Sequence, residues 1–385
     1  MNSVNFTHSP YGDLAIISMR GCEDISAMVD YYLLQWRGMP EEHSYVVSAH
    51  CPRFGTGEGK ATLHHTARGL DVYIICDCFN HGVTYKMYGK NVPMSPDDHF
   101  QDLKRVIGAL GGKAKRVTVI MPMLYEGRQH RRVSRESLDC AMALQELTAM
   151  GVSNIITFDA HDPRVQNAIP LGGFDNVQAT YQMIKALLKT VPDIQIDRDH
   201  CMVVSPDEGG MSRCIYYSSV LKLDLGMFYK RRNYSVIVNG RNPIVAHEFL
   251  GSDIKGKDLF LVDDMISSGD SMIDIASKLK SMGCGRIFIF STFGLFVEGP
   301  DRFDEAYENG IIDKVFTTNL IYTQPEILER EWYVSVNMSK YIALLVSTIN
   351  CDHSISKLLD PADRITKIMK QYKQWPDDDD STISE

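Results

Sequence analysis

Short apolar runs alternate along this chain with longer segments in which apolar residues recur every three or four positions. The short runs are typical of buried strands in a parallel sheet, and the longer segments are typical of amphipathic helices. The predicted strands are 14–18, 45–49, 71–76, 117–121, 154–158, 201–204, 225–229, 258–262, 286–290, 314–317 and 332–336. The predicted helices run through 25–33, 100–110, 138–147, 177–190, 272–282 and 338–349. This alternation predicts an α/β fold with mainly parallel sheets flanked by helices.

The chain is longer than one average domain, and a segment near its middle breaks the alternation. At 385 residues, two domains of ordinary size are expected. The segment LGGFDN, at 171–176, is rich in glycine and polar residues. We therefore predict a first domain at 1–172, a second at 173–345, and a C-terminal helix with an acidic tail at 346–385. The last ten residues, PDDDDSTISE, are expected to be disordered.

Composition and charge argue against several classes of protein. The formal net charge of −9 leaves no basic footprint, so we expect no nucleic-acid partner. No apolar run approaches the ~20 residues needed to cross a bilayer, and the N-terminus lacks a secretory pattern, so we expect no membrane partner. Nine cysteines, scattered and odd in number, are typical of reduced thiols and predict a cytoplasmic protein.

One stretch in the second half combines a strand, two acids, a small-residue turn and a helix. The strand ends at Asp263 and Asp264, and the turn follows at 267–271. Ser271 is placed to cap the helix and Gly283 to end it. Small residues let backbone N–H groups surround an anion at the positive end of a helix. A plain α/β connection can have the same shape, but the acid pair favours a phosphate site beside sugar hydroxyls.

In the first half, two charged segments follow predicted strands. RQHRR carries Arg128, Gln129 and Arg131 after the strand at 117–121, and DAH ends the next strand at His161. The arginine run can be a solvated loop, and the histidine can be structural. Ligands of α/β sheets bind outside the carboxyl ends of the strands, however, and arginine suits bidentate phosphate contacts. These segments favour a polyphosphate partner, with His161 as a candidate metal or phosphate contact.

Two loops of the second half are also candidates for chemistry. SPDEGG places Asp207 and a glycine pair after a strand, which favours Mg²⁺ or close backbone approach to a ligand over an ordinary turn. Lys230, Arg231 and Arg232 leave the strand at 225–229. They are either a solvated loop or the cations of a mobile loop that meets charge in a transition state.

Between the second and third predicted strands lies a compact turn, and after the third lies a long segment. The turn contains Phe54, Thr56, Gly57 and Glu58 and is most simply a hairpin. The segment at 80–98 is rich in Gly, Pro and Tyr and longer than most connections, which predicts an exposed loop.

Seven motifs occur in the order and approximate spacing of one family. They are FGTGE, RQHRR, DAH, SPDEGG, YKRR, VDDMISSGDS and SVNMSKYIALLVSTINCDHSISKLL. Across roughly residues 45–360 the chain resembles the ribose-phosphate pyrophosphokinases, or PRPP synthetases. The resemblance implies two phosphoribosyltransferase-like α/β domains. It also implies transfer of the β,γ-diphosphoryl group of ATP to the 1-hydroxyl of ribose 5-phosphate, giving phosphoribosyl pyrophosphate (PRPP) and AMP.

The resemblance further implies residue roles, a metal and an assembly. ATP contacts fall on Phe54, Thr56, Gly57, Glu58, Arg128, Gln129 and Arg131. Ribose 5-phosphate contacts fall on Asp263, Asp264, Ser267, Ser268, Gly269, Asp270 and Ser271. Mg²⁺ is associated with His161 and Asp207, and catalysis with Lys230 and Arg232. The implied assembly is a homo-oligomer built from dimers, up to a hexamer, in which a neighbouring subunit lends the turn at 54–58 to the ATP site.

The sequence departs from the family pattern in several places. Ser267 and Asp270 replace the acid and the second glycine of the usual Asp-Thr-Gly-Gly-Thr loop, which puts a negative charge near a phosphate site. Thr56 stands where the family has Asp, and Glu126 displaces the usual aromatic residue before the Arg-Gln pair. The segment at 80–98 is longer than the family's loop. These differences indicate a divergent branch.

Two other functions are compatible with the sequence. A type I phosphoribosyltransferase shares the phosphate loop but requires neither RQHRR, DAH nor the Lys-Arg-Arg segment. A non-catalytic regulatory subunit would keep the fold, and the altered phosphate loop mildly favours it. Retention of His161, Asp207, Lys230 and Arg232 favours the catalytic interpretation.

Overall fold

The computed structural model describes residues 10–40, 42–232 and 244–375, and within these ranges it describes side chains except at 230–232 and 244–247. The acidic tail and the polar stretch after Arg232 lie outside the described residues. The chain divides into two compact units. The first comprises Met1–Ala179, Thr318–Gln324 and Asn337–Leu359, and the second comprises Thr180–Thr317, Pro325–Val336 and Asp360–Glu385.

Strands and helices alternate through both units. Up to residue 179 they are β1 (Asp13–Ser18), α1 (Glu23–Arg37), β2 (Ala49–His50), β3 (Thr62–Leu63), β4 (Leu70–Ile75), β5 (Thr84–Met87), β6 (Lys90–Pro93), α2 (Pro96–Leu110), β7 (Arg116–Ile120), α3 (Asp139–Ala149), β8 (Asn154–Phe158), a 3₁₀ helix (Pro163–Ala168) and β9 (Gly173–Val177). After it they are α4 (Thr180–Thr190), β10 (Cys201–Ser205), α5 (Met211–Leu221), β11 (Asp224–Arg232), β12 (Ile244–Leu250), β13 (Asp258–Ile266), α6 (Asp270–Ser281), β14 (Ile287–Gly294), α7 (Asp301–Glu308), β15 (Lys314–Thr318), α8 (Pro325–Leu328), β16 (Tyr333–Val336), α9 (Ser339–Asn350), α10 (Ser356–Leu359) and α11 (Ala362–Gln371).

The first unit is built on a parallel sheet in the order β1-β4-β7-β8-β9. Its central strands are buried on both faces, which is why they read as unbroken apolar runs. Helix α1 buries Val29 and Leu33, and α9 packs against it. The sheet confirms the predicted α/β class with mainly parallel strands.

The division into units differs from the predicted boundaries at 172 and 345. Strand β9 pairs in parallel with β8, Asn154 opposite Gly173, so the first unit continues past residue 172. The predicted helix at 177–190 begins only at Thr180 for the same reason. Helix α9, predicted at 338–349 across the expected boundary at 345, belongs to the first unit because it packs on α1. An edge strand with the polar sequence GFDNV gives no apolar run, so the pattern missed it.

Two other predictions in the first unit were wrong. The strand expected at 45–49 is reduced to an isolated bridge between Ile16 and Val46 and the two-residue strand β2. The segment at 80–98, expected to be an exposed loop, contains the antiparallel hairpin β5–β6 and the start of α2. Alternating polar and apolar residues in TYKM and KNVP are compatible with a strand, but Gly and Pro obscured the pattern.

The second unit has a larger sheet, in the order β12-β11-β10-β13-β14-β15-β16. The neighbouring strands β11, β10, β13, β14 and β15 pair in parallel, and β12 is antiparallel to β11. An aromatic cluster of Phe296, Phe303 and Trp332 packs beside the sheet, with Phe303 and Trp332 stacked at 5.2 Å between ring centroids. Within the described part of the chain, no helix is long and apolar enough to span a membrane.

Candidate active site

A cavity of about 200 Å³ lies in the second unit, where β13 passes into α6. It is lined by Pro206, Asp207, Asp263, Met265, Ile266, Ser267, Ser268, Gly269, Ser271, Met272 and Ile275. The structure therefore brings together two segments that are far apart in sequence, SPDEGG and VDDMISSGDS. Of the residues predicted to contact ribose 5-phosphate, Asp264 and Asp270 do not line this cavity.

The two acids lie within a strand rather than after one. Strand β13 extends to Ile266, because β14 continues to pair with it, Met265 opposite Phe293 and Ile266 opposite Gly294. The predicted end at residue 262 was therefore too early. Side chains alternate along a strand, so Asp263 faces the cavity while Asp264 is buried with an exposed fraction of 4%.

Gly269 fixes the backbone of the turn. It is the N-cap of α6 with φ 91°, a conformation that favours glycine, and an added Cβ would lie 2.3 Å from the ring of Phe303. The helix begins at Asp270, so the prediction that Ser271 caps it was wrong; Ser271 lies in the first turn and lines the cavity. Gly283 follows the last residues of α6 with φ 86°, as predicted for a helix end.

The unexpected acid of the turn, Asp270, has a cationic partner. The guanidinium of Arg302, from the first turn of α7, forms an ion pair with Asp270, and its other nitrogen lies 3.6 Å from Asp274. The Ser268 hydroxyl donates to Asp270 at 3.0 Å. The negative charge of Asp270 in the turn at 267–271 is thus paired with a positive one. No sequence rule linked Arg302 to the turn, because the two lie 32 residues apart.

The carboxyl group of Asp263 is electrostatically unusual. Burial, followed by the neighbouring charge of Asp264, raises the pKa of Asp263 well above its ordinary value. The Asp264 backbone N–H donates to it at 2.8 Å, and a guanidinium nitrogen of Arg213 lies 3.9 Å away. Two close acids that cannot easily ionise together stabilise a cation or hydroxyl donors placed beside them.

Asp207 holds the loop after β10 through its own backbone and side chain. One carboxylate oxygen accepts hydrogen bonds from the backbone N–H groups of Gly209 and Gly210, at 2.9 and 3.2 Å. The Ser205 hydroxyl donates to the Asp207 carbonyl at 2.7 Å. These bonds fix the loop beside the cavity, which Pro206 and Asp207 line.

In the first unit, RQHRR and DAH meet at the carboxyl edge of the sheet. The rings of His130 and His161 have centroids 5.3 Å apart, and His130 Nε2 lies 3.5 Å from a carboxylate oxygen of Asp162. Desolvation lowers the pKa of His130, whereas hydrogen bonds from Arg164 lower the pKa of Asp162 to about 2. A neutral imidazole beside an ionised carboxylate can coordinate a metal ion or form a hydrogen bond to a phosphate.

The predicted ATP contacts around Arg128 form an exposed segment. Gln129 donates from its backbone to Glu126 and from its side chain to Ser137, at 2.8 and 3.0 Å. Arg128 and Arg131 are exposed. Tyr125 does not join them but stacks on Phe100 with centroids 4.2 Å apart.

The turn at 54–58 is a hairpin loop, as predicted. Strands β2 and β3 are antiparallel, Arg53 bridges to Gly59, and Phe54 N–H donates to Glu58 O at 2.7 Å. Thr56 Oγ1 donates to Glu58 at 2.9 Å. Among the described contacts, none joins this turn to Arg128 or His130.

Lys230 and Arg232 lie near the end of β11. The strand was predicted to end at 229, but it continues to Arg232 because β12 pairs with it, Lys230 opposite His247 and Arg232 opposite Ile244. The side chains of both residues lie outside the described part of the structure.

The donor set fits a metal that arrives with a ligand better than a protein-held one. No group of three or more His, Cys, Asp or Glu residues capable of holding an ion occurs among the described residues. Magnesium is commonly held by one or two protein groups together with substrate phosphates. Single groups such as His161 or Asp207 fit that role.

Comparison with known proteins places the chain in a family. Residues 14–151 match the model for the N-terminal domain of ribose phosphate pyrophosphokinase, and residues 235–360 match that for the phosphoribosyl synthetase-associated domain. The chain belongs to the ribose-phosphate pyrophosphokinase family. The ribose-phosphate pyrophosphokinase of Shewanella oneidensis is 27% identical over 310 residues, covering 80% of this chain and 89% of that protein. That of Mycoplasma pneumoniae is 28% identical over 275 residues, covering 70% and 74%.

A solved structure supports the fold of this ribose-phosphate pyrophosphokinase family member. The phosphoribosylpyrophosphate synthetase of Mycobacterium smegmatis aligns with a TM-score of 0.69 over 88% of this chain and 98% of that one, at 20% identity. The likeness confirms the prediction of two phosphoribosyltransferase-like α/β domains.

Two arginines near the candidate site, Arg213 and Arg302, were not predicted from the sequence. The position of Arg213, one helical turn after the glycine pair, is a signal that could have identified it.

Proposed function

We propose that the protein is a ribose-phosphate diphosphokinase that converts ATP and ribose 5-phosphate to PRPP and AMP. The observation that carries the proposal is the cavity of about 200 Å³ at the β13–α6 turn, where Asp207, Asp263 and a turn of small residues converge. Family membership agrees with it. A cavity of this kind suits a phosphorylated sugar better than an apolar ligand.

In this proposal the turn at 267–271 binds the 5-phosphate and Asp263 binds the ribose. Backbone N–H groups at the start of α6 and the hydroxyls of Ser267 and Ser271 are donors for phosphate oxygens, while Ser268 lines the same cavity with its hydroxyl donating to Asp270. Ribose hydroxyls donate to Asp263, and their hydrogen bonds favour its ionised form. Asp264 is buried beside Asp263 within β13. It raises the pKa of Asp263 and does not line the cavity.

The ATP side of the reaction is proposed for the first unit. Arg128, Gln129 and Arg131 bind the polyphosphate, while the turn at 54–58 contacts the base. The 1-hydroxyl oxygen of ribose 5-phosphate attacks the β-phosphorus, the bond between that phosphorus and the α-phosphate oxygen breaks, AMP leaves, and the hydroxyl proton passes to solvent. Lys230 and Arg232 neutralise charge that develops on the transferred group.

We extend the proposal to a metal, an assembly and a compartment. Mg²⁺ enters with the phosphates of ATP, with His161 and Asp207 as protein contacts, and when bound it neutralises phosphate charge and polarises the phosphoryl group. The enzyme acts as a cytoplasmic homo-oligomer, and the turn at 54–58 serves the ATP site of a neighbouring subunit.

The test is the nucleotide product formed by purified protein with Mg²⁺ and ATP. We expect AMP, and not ADP, to form only when ribose 5-phosphate is present. Folded protein that forms no ribose-dependent AMP would contradict the proposal. Consumption of added PRPP with a free base would then favour a phosphoribosyltransferase, and stimulation of a catalytic relative in a mixed assembly would favour a regulatory subunit.

A further inference from the structure

The hairpin β5–β6, which lies within the segment at 80–98, packs against the turn at 54–58. The Tyr88 backbone N–H donates to the Gly55 carbonyl at 2.8 Å. Gly57 has φ 95°, and a Cβ added there would lie 2.9 Å from the sulfur of Met87. The hairpin thus touches the turn from its own tip, residues 87 and 88.

A second set of contacts joins the hairpin to the residue that precedes the turn. The guanidinium of Arg53 lies 5.0 Å from the centre of the Tyr85 ring, within range of a cation–π contact. Its exposed fraction is 4%, and it forms an ion pair with Asp102, whose exposed fraction is 2%. The Tyr85 hydroxyl donates to Asp98, 3.3 Å away, and Arg105 Nη1 lies 2.7 Å from Asp102.

Besides Asp102, Arg53 has two further contacts: Asp98, whose carboxylate oxygen lies 3.8 Å from Nη2, and the ring of Tyr85. The Nε and Nη2 atoms of Arg53 are buried without a hydrogen-bond partner among the described residues, and so is one oxygen of Asp102. A buried cation that lacks some of its hydrogen bonds is costly unless other groups stabilise it. The π-face of Tyr85 is such a group, so the ring helps to fix the position of Arg53 and hence of the turn.

The base of the hairpin is itself anchored. Asn80 donates from its side chain to the Gly21 carbonyl at 3.0 Å, and its own carbonyl lies 2.8 Å from His99 Nε2. Ser95 and Asp98 form a capping box at the start of α2. Both ends of the hairpin are therefore tied to the body of the first unit, so the hairpin can restrain the turn.

The turn itself presents chemistry outward. The Phe54 side chain has an exposed fraction of 56%, and Glu58 is held by the hydroxyl of Thr56. An exposed aromatic ring can stack on a planar base, and an oriented carboxylate beside it can accept a hydrogen bond from the amino group of that base. We propose that the hairpin β5–β6 is a positioning element that preorganises this turn for nucleotide binding, with Tyr85 acting through Arg53. The inference rests on the proposed function, in which the turn contacts the base of ATP.

The test compares two tyrosines of the same hairpin. Tyr85→Leu removes the ring over Arg53. Tyr88→Asn is the matched control, because the Tyr88 side chain has an exposed fraction of 77%, contacts the turn through its backbone N–H, and has φ 48°, which asparagine tolerates. Amide hydrogen exchange of the peptide covering 53–59 is measured first, and the KM values for ATP and ribose 5-phosphate are measured second.

We expect Tyr85→Leu to accelerate exchange in the turn, where the Gly57 N–H bonds to the Phe54 carbonyl, and to raise the KM for ATP by about tenfold, as expected for losing a buried cation–π contact. The KM for ribose 5-phosphate and the values for Tyr88→Asn should stay within about twofold of wild type. Tyr85→Phe, which keeps the ring, should behave like wild type.

Unchanged exchange at 53–59 in Tyr85→Leu would overturn the inference whether or not the protein has the proposed activity. Faster exchange with an unchanged KM for ATP would show that the turn does not serve the nucleotide site, and equal rises in both KM values would show general damage. Absence of ribose-dependent AMP from the wild type would contradict the proposed function. The exchange experiment would still test whether the hairpin positions the turn, because it does not require activity.

Discussion

The turn at 267–271, proposed to bind phosphate and called the phosphate turn below, and the turn at 54–58, proposed to contact the nucleotide, are fixed in different ways. The phosphate turn joins the ends of a central strand and a twelve-residue helix, and Gly269 lies against the ring of buried Phe303. The turn at 54–58 closes a hairpin of two-residue strands and is contacted by the hairpin β5–β6, through the Tyr88 backbone and through the Tyr85 ring over Arg53. One site is therefore built into the sheet, whereas the other depends on surface segments.

This difference has a consequence for how each site tolerates change. The turn at 267–271 is constrained by the backbone of a central strand, and its acid Asp270 is paired with Arg302. Turns on surface hairpins can vary more, because their position is set by neighbours that vary with them. We expect divergence in this family to affect nucleotide binding before it affects ribose 5-phosphate binding.

The largest effect is expected from breaking the backbone of the phosphate turn. Gly269→Ala places a Cβ 2.3 Å from Phe303 at a φ of 91°, so the turn must shift, and kcat/KM for ribose 5-phosphate should fall at least ~100-fold. Steady-state kinetics at saturating ATP measures it. Gly283→Ala is the control, since its φ is 86° but its Cβ would lie 3.6 Å from Lys255, and it should lose stability without a change in KM. Equal kinetic effects in both variants would refute the role of the turn.

A loss of similar order but different type is expected at Lys230. Lys230→Ala should lower kcat by about 100-fold with little change in either KM. The reason is that a cation that neutralises charge developing in the transition state stabilises the transition state more than the bound substrates. Lys189→Ala, on the exposed face of α4, is a control cation in the same unit. A rise in KM with normal kcat would instead place Lys230 in substrate binding.

The smallest effect is expected at the pair that sharpens the comparison. Arg302→Ala should raise the KM for ribose 5-phosphate about threefold, because it exposes the charge of Asp270, and an ion pair this exposed contributes about 0.2–1 kcal/mol. Asp270→Asn in the same chain should restore the KM. Additive effects in this double-mutant cycle would show that Arg302 does not act through Asp270.

The sequence predicted the parallel strands and the phosphate turn because both follow local rules. The runs at 154–158 and 201–204 are apolar on both faces, and they became β8 and β10. Sequence also placed Asp263 and Ser268 in one site, since they are five residues apart. Asp207 joins them because β10 pairs in parallel with β13, which brings the carboxyl ends of the two strands to the same edge of the sheet.

Long-range packing accounts for what the sequence did not predict. Strand β9 is polar because it lies at a sheet edge, and α9 is assigned to the first unit by its contact with α1, far away along the chain. The contact between Tyr85 and Arg53 likewise has no local signal. The length of β13 depends on β14, so no pattern within DLFLVDD could show that both acids lie inside the strand.

The most direct test of the central claim is ³¹P nuclear magnetic resonance of purified protein with Mg²⁺, ATP and ribose 5-phosphate. We predict that the β- and γ-phosphorus signals of ATP disappear together, that the diphosphoryl signals of PRPP replace them, and that AMP appears in equal amount. Formation of ADP with a singly phosphorylated product, or release of free pyrophosphate without PRPP, would contradict diphosphoryl transfer to the ribose.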